Sequence, residues 1–338
     1  MMDTRQIIAL QEIKGCGAAT IRQLVSEAQK SRHNNLSDSD FYEFVNKCIS
    51  TGIKRCRIKS IGKFELLDAI SSAEKILEKS ERLGIKTVSY IDPFFPKHLL
   101  KTVNEDGKPD VPLVLFYKGD LSVLKRKGIA IIGTRIPTLE GLSAGEYLGE
   151  KLAEAGYNIV SGLAIGCDSA GHRGALKAPN GITTAFLAHG LDSVYPPENE
   201  RLAEEIVERG GLLMSEYPVG ETVNKYFLVA RDRLQAALSS ATIVIQTGLT
   251  GGTFHAANTT LILGKPLFCV KYGSETLMRN EKVEGNTALV SKGAKFITSS
   301  DFMTLISSYL GAPYEEDTIN ESASKANNEL LLFSTDEL

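Results

Sequence analysis

The sequence has no CxxC pair, no zinc-ligand spacing and no long apolar run. Its five cysteines (Cys16, Cys48, Cys56, Cys167, Cys269) are scattered and odd in number. Neither a disulfide framework nor a zinc knuckle is suggested. No stretch reaches membrane-spanning length and no charged-then-apolar leader opens the chain, so a cytoplasmic protein without membrane contact is expected. Strong net charge is missing too. The balance of −3 argues against indiscriminate polyanion binding, yet it leaves room for a local basic groove. Neither a Walker A run nor a GxGxxG fingerprint occurs, so a P-loop and a dinucleotide site do not follow.

With 338 residues and an ordinary hydrophobic content of 43%, the chain can hold two domains. Charge is uneven along it. Residues 1–63 carry eleven Lys/Arg against six Asp/Glu, a net of +5, whereas residues 314–338 carry seven acids and one lysine, a net of −6. A basic head and an acidic tail suggest different partners, although solvated surface accounts for either equally well.

The most informative stretch is 129–176. An apolar run, Ile129 to Ile132, ends in Gly133-Thr134-Arg135, and a helical segment follows from about Leu142 to Ala155. A second run, Asn158 to Val160, ends in Ser161-Gly162. This is a βαβ unit with glycine at both strand exits. Such a turn lets backbone approach an anionic ligand, and the next helix aims its NH groups at it. Arg135 adds a charge-assisted contact suited to phosphate.

Strand and helix patterns alternate downstream. Strands are expected at Lys86–Tyr90, Leu113–Tyr117, Thr183–Leu187, Leu212–Ser215, Thr242–Ile245 and Pro266–Val270. Helices are expected at 67–83, 199–208, 231–239 and 253–263. The alternation predicts an α/β fold with a mainly parallel sheet covered on both faces. Three further turns fall at strand exits: Ser161 to Asp168, His189 to Asp192, and Gln246 to Thr253 with Gly251, Gly252 and Thr253. Together with Gly133–Arg135 they make one rim, rich in backbone NH groups and hydroxyls, that suits phosphates.

Residues 1–66 read as short helices. Asp3 is placed to cap a first helix reaching about Glu12. The tight turn Lys14-Gly15-Cys16-Gly17 before a second helix resembles a helix-hairpin-helix or SAM-like element, whose exposed NH groups face DNA phosphate. A cruder copy stands at Ile58 to Lys63; a plain helical turn is the alternative for both. Residues 311–338 form an acidic tail expected to be disordered. Within it, Glu329-Leu330-Leu331-Leu332-Phe333 resembles the short peptide with which DNA-processing proteins bind the replication sliding clamp; a terminal helix docked on the body is the competing expectation.

Asp168 and His172, four apart, share one face of a helix and would suit acid/base hydrolysis of a nucleotide bond. No nucleophile accompanies them, so capping by Asp168 and packing by His172 is the favoured reading. His255 has no second histidine at ligand spacing, and no metal or cofactor is expected.

The runs SGLAIGCDSAGHRGAL, YPPEN, GGLLMSEYPVG and RDRLQAALSSATIVI, in that order, resemble the DprA/Smf family of DNA-processing factors of natural transformation. The resemblance covers about residues 84–300 plus the compatible hairpin head. It implies an extended Rossmann-like domain over 67–310, single-stranded DNA binding without catalysis, a homodimer, and loading of a RecA-type recombinase. On the family's motifs, Arg135 matches the DNA-contacting arginine and Ser161 and Gly162 match the strand-exit turn. Arg231 and Arg233 match the paired arginines, and Tyr226 and Phe227 lie near the rim as base-stacking candidates.

Departures mark a divergent member. Ile165 stands where the family usually has a basic residue, Cys167 replaces an isoleucine, and Asp232 replaces an asparagine between the two arginines. Lost or countered charge on the rim should weaken phosphate binding. The alternative function is a nucleotide-binding enzyme or sensor of the related phosphoribohydrolase-like fold. That signature places a glutamate soon after its glycine-rich turn, and none follows Gly251-Gly252-Thr253 closely.

Overall fold

The apolar strand segments are buried along their whole length. Gly128–Ile132 is buried at all five positions, as are Asn158–Ser161 and Leu212–Ser215 at all four. Strands of this kind are stable only with both faces covered. In the computed structural model, which describes residues 2–31, 36–53 and 56–314, they form one nine-stranded sheet. In chain order the strands are β1 (Lys86–Ser89), β2 (Val114–Gly119), β3 (Gly128–Ile132), β4 (Asn158–Ser161), β5 (Ile182–Leu187), β6 (Leu212–Ser215), β7 (Ser239–Val244), β8 (Leu267–Val270) and β9 (Lys295–Ile297).

Their spatial order is β1-β2-β6-β5-β4-β3-β7-β8-β9. From β6 to β9 every neighbour pair is parallel; β1 and β2 add an antiparallel edge. The chain winds from β3 outward to β6, then returns to the other side of β3 as β7. The topological switch point therefore lies between β3 and β7, where ligands of open parallel sheets bind outside the carboxyl ends.

Among the described residues, twelve α-helices accompany the sheet. Four form the head: α1 (Thr4–Glu12), α2 (Ala18–Lys30), α3 (Asp38–Ser50) and α4 (Lys63–Arg82). Eight follow: α5 (Leu139–Glu154), α6 (Cys167–Lys177), α7 (Glu200–Glu208), α8 (Lys225–Leu238), α9 (Gly252–Ile262), α10 (Glu275–Met278), α11 (Glu284–Ser291) and α12 (Phe302–Leu310). Leu148 and Leu152 of α5 and Phe302 and Ile306 of α12 cover one face, against Ile129, Ile131, Ile243 and Phe268. Ala256 and Ala257 of α9 and Leu289 of α11 cover the other, against Ala130, Ile132, Val244 and Cys269.

Asp3 caps α1 as expected, in a full capping box with Gln6. The division expected between 66 and 67 falls inside α4, which packs along α1. Ile7, Leu10, Leu66 and Ile70 share one apolar cluster with Val88 and Leu115 of the sheet, so head and sheet have a continuous core. Helix α8 begins six residues before the expected Arg231, because the Asn224 side chain accepts hydrogen bonds from the NH groups of Tyr226 and Phe227. The tail is described only to Tyr314, whose neighbour Pro313 accepts a hydrogen bond from the Lys127 NH. The segment Glu329–Phe333 lies outside the described residues.

Candidate nucleic-acid interface

The loops after β3, β4 and β7 are locked together at the switch point. The Thr134 NH donates to the Gln246 carbonyl (2.8 Å), and the Cys167 NH donates to the Thr134 carbonyl (3.2 Å). The Gln246 side chain holds Thr138, the cap of α5, through both its amide atoms (2.9 Å each). Asn286 of α11 fastens the β7 exit to the β8 exit, accepting from the Thr247 NH and donating to the carbonyls of Ile245 and Val270. Gln246 and Asn286 are both buried; Gln246 opens the glycine-rich β7 exit, whereas Asn286 lies in α11 and no role was expected for its side chain.

The β4–α6 turn is the tightest element. Leu163 is left-handed at φ 58° and Gly166 at φ 86°. A Cβ on Gly166 would stand 2.5 Å from the Thr134 carbonyl oxygen and 2.7 Å from that of Arg135, so glycine lets the two loops touch. Gly133 is likewise packed against Cys167. Both turns therefore use glycine for close approach of protein to protein.

Arg135 stands out on this edge. It is exposed, and no hydrogen bond or ion pair engages it among the described residues. Thr134 beside it is half-buried and its hydroxyl accepts from the Ile136 NH. Helix α9 begins with Gly251 (φ 122°) as a cap that has no side chain to offer, leaving the first NH groups of Gly252 and Thr253 without a capping side chain. Ile165 is 42% exposed on the same edge, an apolar group where the resemblance implies a cation.

Arg231 and Arg233 correct an expectation. The resemblance placed them among the DNA contacts; the structure gives both guanidiniums to the protein. Arg231 is 3% exposed and donates to the carbonyls of Gly162 and Phe186, with its Nε on Asp232 (3.1 Å). A Cβ on Gly162 would overlap this guanidinium, which is why glycine stands there. Arg233 forms a fork with Glu216 (2.8 Å twice) and an ion pair with Asp110. Ser161 and Gly162 are buried too: Ser161 Oγ donates to the Ile131 carbonyl and the Gly162 NH donates to Asp168 (3.1 Å). These four shape the rim from beneath.

Burial raises the carboxyl of Asp168 above its ordinary range, against the pull of Arg231. Asp232 is pushed up to about 6 by burial and by Asp168, again opposed by Arg231. One guanidinium thus sits between two carboxylates in a low-dielectric pocket, which holds the proton on the acids more strongly. Asp232 also reaches the start of α9, lying 3.5 Å from where a Cβ on Gly252 would be. It places negative charge under the helix end that would otherwise favour phosphate.

Asp168 and His172 do not form an acid/base pair. Asp168 ties the β4 exit, whereas His172 is fully buried with Nδ1 on the Thr183 hydroxyl (2.6 Å), and burial beside Arg231 and Arg173 pushes its pKa down to about 3. His255 meets Glu105. No cluster of three or more potential metal ligands occurs among the described residues, and none of their helices is long and apolar enough to cross a membrane.

Phe227 stacks on Tyr217 with ring centroids 4.0 Å apart, while Tyr226 is 72% exposed beside Lys225. The exposed ring is thus Tyr226, with one face of Phe227 already taken. In the head, Lys14, Gly15 and Gly17 are exposed in the α1–α2 turn, with Gly15 left-handed at φ 89° and Gly17 capping α2. Arg22 of α2 donates to the Val111 carbonyl just before β2. Since β2 is antiparallel to β6, this joins the head to the edge of the sheet at which the rim loops lie. The Ile58–Lys63 segment is no second hairpin: it is a turn whose Gly62 caps α4.

The model of the family described as DNA recombination-mediator protein A matches residues 86–307. The DNA processing protein DprA of Bacillus subtilis is 32% identical over 251 residues, covering 74% of this chain and 80% of its own. The structure of DprA from Streptococcus pneumoniae superposes with a TM-score of 0.71 at 26% identity, covering 90% of this chain and 98% of that one. The DNA processing protein A of Helicobacter pylori, solved for its single-stranded DNA binding mode, gives 0.57 at 32% identity and covers 67% of this chain and 97% of its own. The matched span, the identity to these relatives and the superposition together place this chain in the DNA recombination-mediator protein A family, that of DprA and Smf.

Proposed function

We propose that the carboxyl edge of the sheet binds single-stranded DNA in the cytoplasm, with Arg135 as its main phosphate contact. The observation that carries this reading is Arg135 itself: an exposed guanidinium without a partner among the described residues, on a loop held rigid by Gln246 and Gly166. A preorganised cation loses little freedom on binding an anion. Around it, Thr134, Gly251, Gly252 and Thr253 supply hydroxyls and backbone NH groups. Gly133, Ser161, Gly162, Arg231 and Arg233 hold these loops in place. Tyr226 supplies an exposed face for a base, with Phe227 and Tyr217 stacked behind. The Lys14–Gly17 turn extends the path for the strand beyond β6.

The chain acts as a binder. It protects incoming strands and hands them to a RecA-type recombinase, working as a homodimer. A gel-shift titration with oligo-dT, run beside a nucleoside monophosphate hydrolysis assay, tests the proposal. Retardation without hydrolysis is expected; hydrolysis without retardation would replace this reading by the phosphoribohydrolase-like one.

A further inference from the structure

A cleft of about 770 Å3 opens along the antiparallel edge of the sheet, where β1 and β2 meet the head. Thr4 of α1 lies on its wall, with Lys86 of β1, Gly119 of β2, and Leu121, Leu124 and Lys125 of the 3-10 turn between β2 and β3. Gly119 pairs with Leu212, the first residue of β6, and Lys125 shortly precedes β3. This end of the cleft therefore lies at the amino edge of the parallel strands, away from the rim. None of the strand-exit motifs accounts for it.

The walls are cationic and apolar. Lys86, Lys97 and Lys125 line the cleft, are all exposed, and make no ion pair within 4.0 Å among the described residues. The two carboxylates of the cleft are already engaged. Asp92 accepts from the Ser89 NH and hydroxyl (2.6 Å each), and Asp120 accepts from the Ser122 NH and hydroxyl (2.9 and 2.5 Å). These Ser122 hydrogen bonds, and after them the fields of Lys86 and Lys125, hold Asp120 below its ordinary range. Phe94 stands 81% exposed on the same wall.

The described chain ends beside this surface. Arg126 and Tyr314 form an isolated antiparallel bridge, and the guanidinium lies 5.8 Å from the Tyr314 ring centroid. Lys127 donates from its NH to the Pro313 carbonyl and from Nζ to the Leu310 carbonyl (2.7 Å each). The antiparallel sense of the bridge directs the chain beyond Tyr314 towards Lys125 and Leu121, on the wall of the cleft. The residues that follow are Glu315-Glu316-Asp317, and residues 315–338 hold seven acids, one lysine and the apolar run Leu330 to Phe333.

We propose that the cleft is a docking surface for an acidic peptide with an apolar anchor, and that its occupant is residues 315–338 of this chain. Carboxylates meet the unpaired lysines, and the apolar run meets Leu121, Leu124 and Phe94. A segment of this length reaches on the order of 80 Å when extended, so the whole cleft lies within its span. Tethering presents it at an effective concentration on the order of 1 mM, so a contact too weak to hold a free peptide is kept within the chain. The surface is separate from the rim, and the proposal does not rest on the single-strand reading.

The test places p-benzoylphenylalanine at Phe94 of the full chain. Irradiation is expected to join it to a residue within 315–338, located by peptide mass spectrometry, in a product of monomer mass. The same group at Leu139, 80% exposed on the rim side, should leave that segment unlabelled. Lys97→Glu with Lys125→Glu should lower the yield about tenfold, because like charges then face each other. Adding Glu315→Lys, Glu316→Lys and Asp317→Lys should restore it, with circular dichroism showing each variant folded. No cross-link from Phe94 to the segment overturns the proposal, as does equal labelling from Leu139. A product of dimer mass assigns the cleft to a second copy and rejects it as well. A yield unchanged by the two lysine reversals rejects the charge complementarity on which it stands.

Discussion

Arg135, on the loop after β3, and Arg231, on α8, both lie next to glycine-rich strand exits, and the family resemblance gives them one role. Their surroundings differ in kind. Arg231 is 3% exposed, and its donors go to two backbone carbonyls and Asp232. Arg135 is exposed and spends none on the described residues. A guanidinium has five donors; where the protein uses them, the arginine is a strut, and where it does not, they remain for a ligand. The rim is therefore built in two layers, with a buried ionic layer under a nearly bare binding surface.

The strongest way to break this comparison is Arg231→Ala. It leaves Asp168 and Asp232 buried without their cation, which should cost about 3–5 kcal/mol of stability. Urea denaturation would show this, and a cost below about 1 kcal/mol would mean that Arg231 is no strut. Arg135→Ala should do the opposite. Stability stays level, while affinity for single-stranded DNA falls by about 1–3 kcal/mol, the loss of charged hydrogen bonds. Equal affinity with an intact circular dichroism spectrum would remove Arg135 from the site.

Asp232→Asn sharpens the account of the buried layer. The folded carboxyl titrates at about 6, above its ordinary 3.8, so the native state holds the proton more tightly than the unfolded chain. Its stabilisation is complete below about pH 4 and is lost as pH rises through 6. The asparagine variant should lack this decline and be more stable than wild type at neutral pH by about 1–2 kcal/mol, the shift discounted for coupling to Arg231. Parallel stability–pH profiles for the two proteins would contradict it. The smallest effect belongs to Ile165→Lys, which should steepen the dependence of log affinity on log salt by about one phosphate contact. An unchanged slope would mean that Ile165 points away from the strand.

Much of the fold was legible because it rests on local patterns. Leu212–Ser215 reads as a strand from a short apolar run, and Asp3 reads as a cap from its place just before the first helix. The start of α8 was missed although Asn224 is a good cap, since no regular apolar spacing follows it. The layering of the rim was not legible at all. Whether Arg231 faces solvent depends on Gly162, 69 positions away in the chain, and no period in either segment records that contact. The continuous core between head and sheet hid for the same reason, α4 reading simply as an amphipathic helix that ends at Gly84.

Hydrogen exchange with and without oligo-dT tests the placement of the strand most directly. Bound DNA should slow exchange in the loops at 134–139, 162–167 and 247–254, with Arg135→Ala abolishing most of the change. Protection confined to the Lys14–Gly17 turn, or none on these three loops under saturating DNA, would contradict a binding site at the carboxyl edge of the sheet.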